Sequence, residues 1–299
     1  MKWATIRDVA SAAGVSVSTA SKALNGQGKL REETRERVAQ AARRLGFEPN
    51  PLAQALLAGR SFTVGLITTD SFGRFSIPVM LGARRVDGLI VTGRRIEPRP
   101  PVRARPGIPV VYAMTQPADG GAPAVLPDDE GGGRAAAEHL LEIGRRRIAH
   151  VAGPERFLAA RLRAQGVASA LAEASVELCG EIKYGEWTEH WGREAAGQLL
   201  ASRPDAIFCG SDQIARGVAD TLRAVGRRIP DDIALVGFDN WAPMALGALP
   251  PLSSVDMCLE DVGRVAAERL LEAIGGERDH QVHTVPSRLV VRESSGGRA

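Results

Sequence analysis

At 299 residues the chain has room for two or three domains, and 44% hydrophobic with 24% charged residues is a globular balance. Aromatic residues make up 4%, which weighs against a surface built to stack single-stranded bases, and no long uncharged span reads as a membrane crossing. The net charge of +3 is unevenly spread: residues 1–60 hold ten basic and five acidic side chains, the remainder 28 and 30. A basic head on a slightly acidic body is expected to meet a polyanion. No apolar leader opens the chain, so a cytoplasmic location is the expectation. Cys179, Cys209 and Cys258 lie outside any metal spacing, and Cys209, in an apolar run, reads as a buried thiol.

Three helices are predicted first. Thr5 followed by Asp8 has the form of a capping box, and Ile6, Val9, Ala10 and Ala13 share one helical face up to Gly14. Ser16 caps a second helix whose Val15, Ala20 and Leu24 pack back on the first; Asn25-Gly26 ends it. A third runs from about Glu32 to Leu45, with Thr34, Val38, Ala41, Ala42 and Leu45 inside. Short helices joined at a glycine turn describe a helix-turn-helix. The second helix is dense in hydroxyls, which let a backbone approach phosphates and base edges. Val17, Ser18 and Lys22 are the expected readers; Ser16, Thr19, Ser21 and Asn25 suit phosphates. A three-helix bundle that packs some other surface is the alternative.

The run TIRDVASAAGVSVSTASKALNG resembles the headpiece of the lactose-repressor/galactose-repressor family of bacterial transcription regulators, and TRERVAQAARRLGFEPNPLAQALLAGRS extends the likeness. Arg31 departs from it, standing where members often carry a serine cap. The resemblance implies a headpiece over residues 1–48 in which Thr5 also serves DNA binding. It implies a hinge over 49–60 that becomes helical on the operator. There Asn50 starts the segment, Leu56 wedges into the minor groove and Ala53 packs beside it. Read from its residues alone, PNPLAQALLAGRS is equally an interdomain linker.

Beyond Ser61 the pattern alternates. Strands are expected at 63–68, 87–93, 108–114, 124–128, 146–153, 205–212 and 232–239, and helices near 131–144, 157–174, 189–202, 212–226 and 258–275. Runs this apolar suit parallel strands covered on both faces, an α/β architecture that binds ligands beyond the strands' carboxyl ends. The stretches DDEGGGRAAAEHLLEIGRRRIAHVAGP, RLRAQGVASAL, DAIFCGSDQIARGVADTLRAVGRRIPDDIALVGFDN and PPLSSVDMCLEDVGRVAAERLL resemble the same family's effector domain. The resemblance implies a periplasmic-binding-protein-like body over 61–299, with two α/β subdomains about a cleft for a sugar or related polyol. Arg163, Trp187, Asp212, Asp239 and Asn240 then line the cleft and Phe75 flanks it. Helix capping for Ser211 and Asp212, and core filling for Trp187, remain open alternatives.

No enzyme motif competes. EGGGR could cradle a phosphate but lacks the lysine ending of a P-loop, no G-x-S-x-G elbow occurs, and His139, His150, His190, His280 and His283 form no HExxH. His139 reads as a helix-face residue. Neither a metal nor a cofactor is expected. Between the strands at 63–68 and 87–93 the sequence leaves space for one short helix, about 76–85, where the resemblance calls for a helix, an edge strand and a second helix. The join falls at MLGARRVDG. Losing an edge strand brings the flanking strands together, or leaves the first subdomain poorly packed with an open edge. It is also expected to alter how two hinges pair in a homodimer. The sum is a homodimeric repressor-like regulator, not an enzyme, with operator DNA and a small molecule as partners. A sugar-binding protein without regulatory role and an effector-unresponsive family member are the alternatives.

Overall fold

The computed structural model describes residues 4–26, 28–48, 61–68 and 86–296. The chain divides into two compact units, Met1–Thr63 with Arg85–Asp87, and Val64–Arg84 with Gly88–Ala299. In the first unit α1 (Ile6–Ala13) opens with the expected capping box: Asp8 N–H donates to Thr5 Oγ1 at 3.4 Å and Thr5 N–H to Asp8 Oδ2 at 2.8 Å. Gly14 closes it at φ 63°, a left-handed position that suits glycine. Ser16 Oγ accepts from Thr19 N–H at 3.1 Å and starts α2 (Val17–Leu24). The third helix, α3 (Glu32–Leu45), starts at Arg31 with no side-chain cap, forgoing about 1 kcal/mol. Val9, Ala10, Ala13, Ala20, Val38, Ala41 and Ala42 form the core. Leu45, expected inside, is exposed: the chain turns at Gly46, and Phe47 packs on the cluster instead.

The second unit contains two parallel sheets. Its elements in order are β1 (Val64–Ile67), β2 (Gly88–Thr92), β3 (Pro98–Arg99), β4 (Val110–Ala113), β5 (Gln116–Pro117), β6 (Ala124–Pro127), α4 (Asp129–Glu142) and β7 (Ile148–Ala152). Then follow α5 (Leu158–Glu173), β8 (Lys183–Tyr184), α6 (Glu189–Leu199), β9 (Ala206–Cys209), α7 (Asp212–Ala224), β10 (Ala234–Phe238) and α8 (Ala242–Ala245). The last are β11 (Ser253–Asp256), α9 (Leu259–Gly275), β12 (Val282–Val285) and β13 (Arg288–Val290). The first lobe's sheet has the order β1-β2-β4-β6-β12, all parallel; the second lobe's runs β13-β11-β10-β9-β7-β8, parallel except for β13. The pair β3-β5 stands apart.

The continuous apolar runs are explained by cover on both faces of the second sheet. Along β9, Ala206 and Phe208 face a cluster built with α4 and α5, whereas Ile207 and Cys209 face one built with α6 and α7. In the first lobe, Val111, Ala113 and Val125 pack on α9 through Val262, Ala266 and Leu270. The chain crosses between lobes at 127–129, 256–259 and 285–288, so α9 and β12 complete the first lobe from late sequence.

The shortened join has the expected consequence in the sheet: β1 pairs directly with β2, Val64 opposite Gly88 through Ile67 opposite Val91. Among the described residues β1 ends that sheet, and its Val64 and Leu66 are 45% and 58% exposed. The hinge with Asn50, Ala53 and Leu56, the helix expected near 76–85 and Phe75 lie outside the described residues.

Candidate functional site

On the head, the outer face of α2 carries Val17, 44% exposed, with Ser18 and Lys22 also exposed. Its other hydroxyls have local partners: Ser16 and Thr19 hydroxyls share a 2.8 Å bond, and Asn25 Nδ2 donates to Ser21 Oγ at 3.3 Å. Local bonds of this kind hold caps and helix ends and leave the slim face of α2 free of bulky side chains.

In the body, loops beyond the strand ends meet in a cavity of about 310 Å³. From the first lobe come Arg94 to Glu97 after β2 and Met114 after β4; Asp129 opens α4 after β6. The second lobe brings Phe157 and Arg163 of the α5 region, Trp187 after β8, Ser211 and Gln213 after β9, Asp239 after β10 and Met257 after β11. This is where open parallel sheets bind ligands.

Arg163 is the centre. Its Nε donates to Asp129 Oδ1 at 2.7 Å, Nη1 to Gly210 O at 2.5 Å, and Nη1 lies 3.5 Å from Asp239 Oδ1. Its guanidinium carbon is 3.6 Å from the Phe238 ring centre and 5.6 Å from that of Trp187. Trp187 presses against Gly153, where a Cβ would fall 2.3 Å from the indole. Burial pushes the Asp129 carboxyl up against the opposing pull of Arg163. Desolvation likewise pushes Asp239 up to about 7, again opposed by Arg163 and aided by Asp212 and Asp129. Asp239 also sits at φ 100°, a conformation rare outside glycine that marks functional sites.

Of the residues expected in the cleft, Arg163, Trp187 and Asp239 line this cavity. Asp212 does not. Its oxygens accept from Ser254 Oγ at 2.6 Å and Trp241 N–H at 2.8 Å, and it is 1% exposed; Ser211, its neighbour, caps α7. Asn240 is also elsewhere: its amide bridges Asp256 and Arg292 beside a separate cavity. Glu97, Asp129, Phe157, Gln213 and Met257 were not foreseen. Each sits near the end of a strand, and that rule applied to every strand finds them. The glycines of EGGGR pack rather than cradle: a Cβ on Gly132 would meet Phe238 at 2.8 Å, and one on Gly133 would meet Arg163 O at 2.2 Å.

Asp239 gives the body a pH signature. With its folded pKa near 7 against an ordinary 3.8, the folded chain holds a proton that the unfolded chain releases between those values. This contribution is full below about pH 4 and is lost as pH rises through 7. Urea midpoints at pH 4.5, 6 and 7.5 should fall more gently in Asp239→Asn than in wild type. A residual slope is expected from Asp212, raised to about 6 mainly by burial.

A helix-turn-helix head carried with a two-lobed body, whose strand-end loops bring charged and aromatic side chains to one cavity, defines a ligand-responsive DNA-binding regulator. The profile of bacterial regulatory proteins of the lacI family matches residues 5–50, and that of the periplasmic binding protein-like domain matches residues 137–295. The chain is 33% identical to the HTH-type transcriptional regulator CelR of Thermobifida fusca, over 97% of this chain and 98% of that one. It is 31% identical to the HTH-type transcriptional repressor PurR of Vibrio vulnificus, over 97% and 98%. The chain belongs to the lacI family of bacterial regulatory proteins. The CelR alignment spans 340 residues and this chain has 299, so at least 41 aligned positions have no counterpart here. Among solved structures, a CelR–cellobiose complex superposes with TM-score 0.62 at 30% identity, covering 98% of this chain and 100% of that one. A lac repressor dimer bound to operator and the anti-inducer ONPF gives 0.73 at 25%, covering 98% and 99%. These relatives are transcription regulators, and no described helix is long and apolar enough to cross a membrane.

Proposed function

We propose that this chain is a homodimeric, sugar-responsive transcriptional repressor with no catalytic role, acting on operators in the cytoplasm. Residues 1–48 read DNA, 49–60 form the hinge and 61–299 sense the effector and dimerise. Val17, Ser18 and Lys22 read base edges in the major groove; Thr5, Ser16, Thr19, Ser21 and Asn25 take phosphates; Asn50, Ala53 and Leu56 enter the minor groove. Arg163, Trp187 and Asp239 hold the sugar. The observation that carries this reading is the Arg163-centred cavity at the strand ends, in one chain with an exposed, hydroxyl-rich second helix. The relatives support it, one as a cellobiose complex and one as a dimer on its operator. A neutral sugar suits the cavity because carboxylates and a guanidinium satisfy hydroxyls while an indole covers an apolar ring face.

The test is selection of bound sites from random duplex DNA, alone and with cellobiose, glucose or ribose. The expected result is a two-fold symmetric consensus, since a two-fold protein matches a two-fold site, lost or gained with one of the sugars. The spacing of the half-sites reports how the hinges pair. Lys22→Ala should weaken binding, and if Lys22 meets a phosphate instead of a base, the salt slope drops by about 1 without a change of consensus. Failure to enrich any sequence overturns the reading.

A further inference from the structure

One acidic side chain joins the two lobes of the body across the cavity. Glu97, in the first-lobe segment after β2, accepts at Oε1 from the backbone N–H of Leu158 at 2.8 Å. Leu158 is the first residue of α5, and its N-cap, Phe157, provides no side-chain acceptor. A helix's first turn leaves N–H donors open and favours negative charge, so a carboxylate from the other lobe fills the place of a local cap. Beside it the Arg95 guanidinium lies 4.2 Å from the Phe157 ring centre.

The other oxygen of Glu97 is left over. Glu97 Oε2 and Asp129 Oδ2 are both buried with no hydrogen-bond partner, and both residues line the cavity. Asp129 is 1% exposed, and its Oδ1 is already held by Arg163. Buried polar atoms are almost always paired, so two open acceptors on one cavity wall call for donors from its occupant. Hydroxyls of a neutral polyol supply them. A sugar phosphate or sugar acid brings acceptors and negative charge to the same wall.

Resting on the reading of this cavity as the effector site, we propose that Glu97 is the side chain through which the effector holds the lobes closed. A hydroxyl of a neutral sugar donates to Oε2, a second donates to Asp129 Oδ2, and the carboxylate fixed in this way caps α5 through Oε1. Ligand selection and lobe closure then reside in one residue contributed by the first lobe.

Full-length wild type, Glu97→Gln and Glu97→Ala are compared by calorimetric titration with cellobiose, glucose and ribose, and by amide exchange over residues 157–162. Wild type should bind at least one sugar, with slower exchange in the first turn of α5. In Glu97→Gln the amide oxygen still accepts from Leu158, so exchange without sugar stays within about five-fold of wild type, the lost charge accounting for the difference. Affinity should nevertheless fall about 10- to 100-fold, because a charged acceptor has become an NH2. Glu97→Ala should exchange faster in that turn, and sugar should no longer slow it. A Glu97→Gln chain that binds as tightly as wild type overturns this assignment and leaves the effector reading standing. A wild type that binds none of the three sugars overturns both.

Discussion

Arg163→Met should cost the body about 3–5 kcal/mol of stability and abolish sugar binding, because it strips a buried ion pair of one partner. Asp129 Oδ1 loses its donor at 2.7 Å and Gly210 O loses one at 2.5 Å, while Asp129, at 1% exposure, is left with little water to replace it. The methionine chain replaces much of the volume, so a simple cavity is not the main term. The penalty is electrostatic, and that gives it a sign with pH. Without Arg163, burial drives the Asp129 and Asp239 carboxyls further up; the folded state then favours their protonated forms, and the deficit is smaller at pH 5 than at pH 8. Urea unfolding followed by tryptophan emission reports this, since Trp187 borders the site. Adding Asp129→Asn should restore part of the loss, because the orphaned charge is gone and contacting residues are not additive. A double variant as unstable as the sum of the singles would sink the account. Arg163→Lys should fall between, keeping the charge but not the planar fork that reaches Asp129 and Gly210 together.

Much of the fold was legible because it follows hydrophobic period and end signals. Thr5, Ser16, Gly14 and Gly46 mark ends that the structure keeps, and all seven expected strands lie within their stated spans. Six strands were not expected, the two-residue β3, β5 and β8 among them; of the longer three, β11 has the sequence SSVD. Ser253 and Ser254 are buried there, but their hydroxyls bond Arg292 O and Asp212, so the inward face is polar and an apolar period does not register it. β12 and β13 were missed because each finds its partner far back in sequence, β12 beside β6 and β13 beside β11. At the site, Arg163, Trp187 and Asp239 follow from a family resemblance that matches segments. Asp212 shows its limit: the segment borders the cavity through Ser211 and Gln213, yet the carboxylate between them turns away to meet Trp241 N–H. Glu97 is reachable by the strand-end rule, but its role is not. Nothing in RRIEPR announces that it will cap a helix 61 residues later in the other lobe.

Gly166→Ala is the sharpest test of how α4 and α5 are held, because two rules give opposite signs. Inside a helix, alanine is favoured over glycine by about 1 kcal/mol, so propensity alone predicts a gain. At Gly166, however, a Cβ falls 1.9 Å from Glu130 O and 2.7 Å from Arg134 N, both backbone atoms of α4. The crossing is reciprocal, for a Cβ on Gly133 falls 2.2 Å from Arg163 O. Rotating a side chain cannot relieve a clash with backbone, so the helices must separate. Overpacking typically costs 1–3 kcal/mol and more where nothing yields, and here a net loss of about 3 kcal/mol is expected. Separation also lifts Arg163, one turn earlier on α5, away from Asp129 on α4, so sugar binding should fall with stability. Gly263→Ala is the control, at an exposed position inside α9 with nothing within 4 Å of its Cβ, and propensity predicts a gain of about 1 kcal/mol there. Opposite signs at the two positions, read by urea unfolding, identify the Gly133–Gly166 crossing as the contact that fixes α5 and, through it, the arginine of the site.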